Sequence, residues 1–320
     1  MGRRGEQPMV PAAEFTSYYG RPVLKEPVWE APDIPGYLFL GGLAGASSVL
    51  AVAAQIRGCP DLARSSKAGA AGAIGLSAAA LMHDLGRPSR FTNMLRVFKP
   101  TSPMNVGSWL LAAYGPAAGA AALSAVTGRL RRAGLAASAG AAVLGPAVCT
   151  YTAALICDTA VPAWHEGHRE MPYLFAGSAA SAAGGLGLLT APCEQAGPAR
   201  RLAVLGAAAE ITSAQLLTRR IGIAAEPYES GTSGAMFRAS EVATACALGV
   251  AFLGRRRRLA TAIAGATLLA ASATTRFAIF RAGRVSARDP KYTIVPQRER
   301  LAERQAAREV SQATGSGQDD

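Results

Sequence analysis

The sequence predicts an all-α, polytopic membrane helix bundle with about eight transmembrane helices, and three observations carry that expectation. Half of the 320 residues are hydrophobic and only 17% are charged, against about 25% charged in a typical soluble domain. The apolar residues come in long uncharged runs, several near the ~20 residues an α-helix needs to cross a bilayer. The basic residues fall in short connections between those runs and in the two ends, as membrane topology distributes them. Mean hydropathy is a modest +0.19, because alanine and glycine dominate the apolar set and both ends are polar. These features exclude a soluble enzyme, a secreted disulfide scaffold and a disordered tail protein. The net charge of +12 is not gathered on one helix or patch, so nucleic acid is not expected as a partner.

Residues 1–33 form a polar arm carrying Pro8, Pro11, Pro22, Pro27 and Pro32, with no apolar core before Ile34. No signal peptide is expected there, and insertion would use the first internal helix. Arg3-Arg4 lacks the apolar stretch that a twin-arginine signal needs. Spans are expected at 34–54, 68–82, 106–127, 134–156, 173–190, 202–217, 240–253 and 259–279. The second, sixth and seventh are short and depend on their flanks. The chain thus divides into an arm at 1–33, a membrane domain at 34–280 and a charged tail at 281–320, of which 297–310 is helix-prone. That stretch either docks on a soluble partner or stays solvated. Gly41 and Gly45, and likewise Gly115 and Gly119, have the small-xxx-small spacing that lets helices approach in lipid; a composition rich in alanine and glycine accounts for it equally well.

Eight spans put both termini on one side. Connections after the first, third, fifth and seventh spans carry twelve basic residues: Arg57, Arg64, Lys67, Arg129, Arg131, Arg132, Arg200, Arg201 and Arg255 to Arg258. The opposite connections are longer and carry eight: Arg87, Arg90, Arg96, Lys99, Arg169, Arg219, Arg220 and Arg238. The positive-inside rule places the first set in the cytoplasm and both termini outside the plasma membrane, although Arg281, Arg284 and Arg288 follow the last span closely.

Polar groups in or beside a span are expensive and mark sites. Most gather at one level. Asp33 and Tyr37 open the first span, and His83 and Asp84 close the second. Tyr151 and Asp158 lie late in the fourth, seven residues apart and so on one helix face. Glu241 and Arg276 come at the same level, close enough in depth to pair. Glu210 sits mid-span in the sixth helix, as a proton-relay member or a structurally paired carboxylate. His165 and His168 have ligand spacing but lie in an aqueous loop without a third ligand, so no metal is assigned. Cys59, Cys149, Cys157, Cys193 and Cys246 include no C-x-x-C pair, so no iron–sulfur cluster is expected in this chain. Of three histidines only His83 lies at a helix, so two axial ligands for haem b cannot be supplied.

The stretch His83-Asp84-Leu85-Gly86-Arg87-Pro88, then Arg90-Phe91 and Phe98-Lys99-Pro100-Thr101-Ser102-Pro103-Met104, resembles the NrfD/PsrC family. These are the membrane subunits of polysulfide-reductase-like and formate-dehydrogenase-like iron–sulfur molybdoenzyme complexes. Trp29 and the run Pro35-Gly36-Tyr37-Leu38-Phe39-Leu40-Gly41-Gly42-Leu43-Ala44-Gly45 are similar to the family's first helix. The segment from Tyr151-Thr152 to Pro162-Ala163-Trp164 is similar to the end of its fourth. The likeness covers roughly residues 29–280.

The resemblance implies an eight-helix quinone module with no cofactor of its own, not catalytic alone. A four-cluster ferredoxin-like iron–sulfur subunit would dock on it and exchange electrons with a menaquinone-type quinone bound just below. A molybdenum or tungsten catalytic subunit would lie beyond. Family quinone sites use polar side chains of the first helix and a tyrosine late in the fourth, which map to Asp33 or Tyr37 and to Tyr151. The family's acidic residue ending the second helix maps to Asp84, for proton exchange. Where some relatives carry an Asn/His pair in the first helix, this chain has Ile34 and Tyr37.

Elementary chemistry points the same way. Quinone reduction takes up two protons with two electrons, so the site needs donors at the carbonyl oxygens and a route to water. Tyr37 and Tyr151 are neutral donors near pH 7. His83 exchanges protons in that range, and Asp84, Asp158 and Glu210 are the candidate relays. The proline-braced loop Lys99-Pro100-Thr101-Ser102-Pro103 is a candidate partner-docking loop, or simply a rigid turn into the next helix. Two other readings remain: a transporter or ion-translocating protein using Glu210, Glu241 and Arg276, and a plain membrane anchor without quinone chemistry.

Overall fold

The computed structural model describes residues 23–85 and 93–315, with side chains to residue 307. Every regular element among them is helical. Eight long helices build the bundle: α1 (Asp33–Ile56), α2 (Pro60–Asp84), α3 (Pro103–Thr127), α4 (Arg131–Cys157), α6 (Met171–Thr190), α7 (Gly197–Arg220), α9 (Gly231–Leu253) and α10 (Arg258–Arg288). Two single-turn helices, α5 (Pro162–His165) and α8 (Glu226–Glu229), cap one end. A further helix, α11 (Lys291–Gly315), follows the bundle, so the tail is largely helical. The Arg87 and Arg90 positions of the family-like stretch lie outside the described residues.

Local sequence sets many of the starts. Pro60, Pro103 and Pro162 open helices where their missing N–H is not needed. Ser102 caps α3 by accepting from the Asn105 backbone N–H at 3.4 Å. Gly128, at φ 69°, ends α3 in the left-handed conformation.

Six of the eight, α1, α3, α4, α6, α9 and α10, are long and apolar enough to cross a membrane. The chain is a multi-pass membrane protein. α2 and α7 are equally long, but charges at both their ends lower their hydropathy; α2 packs along α1, and α7 along α6. α1 and α6 are the most enclosed, flanked by α4 and α10, whereas α3 and α9 lie at the periphery. Outward faces carry exposed Leu76, Leu123, Val143, Leu205, Val242 and Phe252, as lipid contact requires.

The expected spans all fall within these helices, but four boundaries move by about five residues or more. α2 begins at Pro60 rather than 68, α7 at Gly197 rather than 202, and α9 at Gly231 rather than 240, while α10 runs to Arg288 rather than 279. Helix formation is not limited to the apolar stretch, so each helix carries its charged turn into the aqueous layer. The two glycine pairs behave differently. Gly45 of α1 and Gly145 of α4 stand backbone to backbone, and a methyl group on either would collide with the other's carbonyl oxygen. Around Gly115 and Gly119 there is open space within 4 Å, so that pair makes no close approach.

Candidate functional site

The Gly45–Gly145 contact brings antiparallel α1 and α4 close together. Towards the end where α1 starts, Tyr37 and Tyr151 then meet across the gap. Their hydroxyls hydrogen-bond, and their rings lie edge to face, centroids 6.5 Å apart. α3 joins from the third side at Gly107, where the Tyr151 ring occupies the place a Cβ would take. Ser77 of α2 donates to the Tyr37 carbonyl oxygen at 3.1 Å, which holds α1 and α2 in register at this level.

The two phenols line a narrow cavity of about 70 Å³ between α1, α2, α3 and α4. Its walls are apolar, with Leu38, Leu81, Leu111 and Leu155 among them, and Trp29 and Met104 lie at its edge. Asp84 and Ser108 supply the remaining polar lining. Met94 and Met104 are unbranched and adaptable side chains, suited to a wall that moves when something enters.

The neighbours His83 and Asp84 divide their work. Asp84 faces the cavity, and burial pushes its carboxyl above the usual carboxylate range against the pull of a backbone bond from Glu30. His83 lies past the apolar stretch of α2 and faces water, its side chain 82% exposed. There its Nδ1 bonds Asp33 Oδ2 at 2.7 Å, tying the start of α1 to the end of α2. That hydrogen bond and the Asp33 charge raise the His83 pKa. Of the residues expected at the quinone, Tyr37 and Tyr151 therefore line the cavity, while Asp33 and His83 lie outside its lining, bonded to each other. Asp158 caps the end of α4, exposed and away from the cavity.

The loop before α3 is knitted by Asn105. Its Oδ1 accepts from the Lys99 N–H at 2.7 Å, and its Nδ2 donates to the carbonyl oxygens of Met94 at 2.7 Å and Val97 at 2.9 Å. Lys99, Pro100 and Thr101 are exposed, and Ser102 and Pro103 half-buried. Val97, Phe98 and Trp109 present an exposed apolar patch beside them.

The arm covers the same end. Trp29 stacks on Trp164 at 5.9 Å, and Trp164 lies 5.8 Å from Phe280. The Trp164 Nε1 donates to the Ile279 carbonyl oxygen at 2.8 Å. Glu26 accepts from Arg284 and Arg288 of α10, each at 2.8 Å, and these bonds, Arg288's the larger, hold its carboxyl below the usual range.

Deeper in the bundle, Glu210 and Arg276 form a second polar cluster. Thr275 Oγ1 donates to Glu210 Oε1 at 2.9 Å, and Arg276 Nη2 donates to the Phe175 carbonyl oxygen at 2.8 Å. The Arg276 guanidinium also lies over the Phe175 ring, 3.8 Å from its centroid. Glu210 Oε2 and Arg276 Nε and Nη1 are buried without a hydrogen-bond partner among the described residues. The expected pairing of Arg276 with Glu241 is not formed: among the described residues Arg276 makes no ion pair, and Glu241 lies well inside α9 rather than at its start.

Fold and cavity together define a multi-pass helical membrane protein in which Tyr37, Tyr151 and Asp84 line an apolar pocket near one end of the bundle. A family model described as polysulphide reductase, NrfD matches residues 24–285. The chain belongs to that family. The match takes in the arm from residue 24 and α10 almost to its end, slightly more than the sequence reading assigned. No curated protein sequence matches the chain.

Tyr37, Tyr151 and Asp84 are sequence-predicted residues that line the cavity. Gly107, Ser108 and Asn105 were not singled out, although Gly107 and Ser108 follow Pro103 by about one helical turn and so carry a readable positional signal.

Proposed function

We propose that the chain is the quinone-exchanging subunit of an iron–sulfur molybdoenzyme-type complex in the plasma membrane, with both termini on the extracytoplasmic side. The observation that carries the reading is the phenol pair at the polar end of an otherwise apolar cavity. The donor set fits a quinone: two neutral hydroxyls that satisfy each other when alone and can turn to a carbonyl oxygen instead. A quinone, when bound, supplies the two-electron carrier. A menaquinone-type ring suits the apolar walls.

Tyr37 and Tyr151 orient the ring by donating to its oxygen, and Leu38, Leu111 and Leu155 exclude water from it. Asp84 holds or releases a proton at its carboxyl between the cavity and His83. His83, bonded to Asp33, exchanges that proton with bulk water. The Lys99–Pro103 loop with Phe98 and Trp109 is the docking surface for a four-cluster ferredoxin-like subunit, which connects to a molybdenum or tungsten subunit. A formate-dehydrogenase-type partner would send electrons to the quinone, and a polysulfide-reductase-type partner would draw them out.

Tyr151→Phe tests this reading. It removes one hydroxyl and almost no volume, so the complex should assemble while quinone turnover falls roughly fivefold, the share of one hydrogen bond. Unchanged turnover removes the phenol pair from the reaction and leaves a membrane anchor. A second reading, proton movement across the bundle, rests on the half-satisfied Glu210–Arg276 cluster.

A further inference from the structure

A roomy cavity lies at the opposite end of the bundle and takes no part in the quinone reading. It measures about 580 Å³ and opens where α1 ends, α2 begins, α3 ends and α4 begins. Three cations line it, Arg64, Lys67 and Arg131, and no carboxylate does. Lys67 is only 9% exposed. None of the three forms an ion pair or a hydrogen bond among the described residues. A lysine buried to that degree is almost always paired, and no acidic partner for it stands among the described residues; an anion held in the cavity would supply one.

The rest of the lining identifies the anion's chemistry. Gln55 and Ser124 add neutral polar groups. One side of the rim is apolar: Leu135 of α4 lines the cavity and is exposed, and exposed Val126 of α3 follows Ala125 of its lining. A polar, cationic floor opening between apolar helix faces suits a molecule with a phosphate at one end and hydrocarbon at the other. We propose that this cavity binds the phosphodiester headgroup of an anionic phospholipid, its acyl chains lying along α3 and α4. Basic pockets between helix ends commonly hold such lipids. A free phosphate shares the headgroup chemistry but makes no use of the apolar rim.

The full chain, isolated in mild detergent with any subunits that accompany it, is stripped of lipid and offered equal parts phosphatidylcholine and cardiolipin. Native mass spectrometry then reads which lipid is retained. Cardiolipin should be retained preferentially. Lys67→Gln should weaken its retention about fivefold, one basic residue's share of the attraction, and Lys67→Arg should restore it. Arg64→Gln with Arg131→Gln, both at exposed positions, should weaken it further without threatening the fold. Arg132→Gln, outside the cavity, should leave it unchanged. Equal retention of the two lipids overturns the proposal, as does cardiolipin retention that ignores all three cations. Titration with inorganic phosphate that saturates the site while no lipid is retained overturns the lipid as its source.

Discussion

Gly45→Ala adds one methyl group where α1 and α4 are closest, and its effect can be worked from the geometry. The new Cβ would overlap the Gly145 carbonyl oxygen, with the carbonyl carbon at 3.2 Å and Cys149 Sγ at 2.9 Å. Carbon contacts relax near 3.5–4.0 Å, and the obstacle is backbone, which cannot rotate away. The helices must therefore part by on the order of 1 Å. Overpacking of this kind costs roughly 1–3 kcal/mol. The same separation opens the Tyr37–Tyr151 contact two turns away, so quinone turnover should fall along with stability. Gly115→Ala is the internal control: the space around it is open, and the better helix former should be neutral or slightly stabilising. Thermal unfolding of both variants in detergent, with quinone turnover of the assembled complex, reads both consequences. If Gly45→Ala melts and turns over like Gly115→Ala, the glycine contact does not position the phenols.

Further outcomes concern His83, the arm and the buried carboxylate. With the His83 pKa raised by Asp33, the imidazolium and its ion pair are complete below the ordinary histidine value of about 6.5 and fade as pH rises through the raised value. Quinone turnover should show that titration, and His83→Gln should abolish it; a pH profile identical in the variant would exclude His83 as the exchange group. Glu26→Gln removes the acceptor of Arg284 and Arg288. An exposed pair is worth up to about 1 kcal/mol, so trypsin should cleave after Lys25 up to about fivefold faster; an unchanged rate would mean that the aromatic stack alone holds the arm. Glu210→Gln keeps shape but cannot carry a proton, so quinone turnover should persist while any coupled proton movement stops. Proton movement equal to that of the unaltered protein would make Glu210 purely structural.

The bundle was legible because its information is compositional: uncharged runs of sufficient length have few alternatives to spanning helices. Boundaries were less so. Asp61, Arg64 and Lys67 depress the hydropathy of the first turns of α2, although Pro60 at its first position marks the true start. The stretch before Ser240 reads as a loop by its Gly231 and Gly234, yet packing carries α9 through it. Glu241 therefore lies inside α9 rather than at its start. At the site, Tyr37, Tyr151 and Asp84 were recognisable from residue type and family-like context. Gly107 was not, because its contribution is the absence of a side chain opposite a ring 44 positions away. The basic cavity escaped for a similar reason: its three cations were read as a tally of loop charge, and only folding brings them around one space.

The aromatic arrangement at the arm also determines what light can report. Of the chain's three tryptophans, Trp29 and Trp164 sit 5.9 Å apart, close enough to exchange excitation, with Trp29 carried by the arm. Trp109 stands 40% exposed beside the Lys99–Pro103 loop. The molecule thus holds two native optical probes at one end, a coupled pair that changes when the arm lifts and a solitary indole that changes when a protein covers the loop. Replacing Trp109 with phenylalanine would separate the two signals without adding a label.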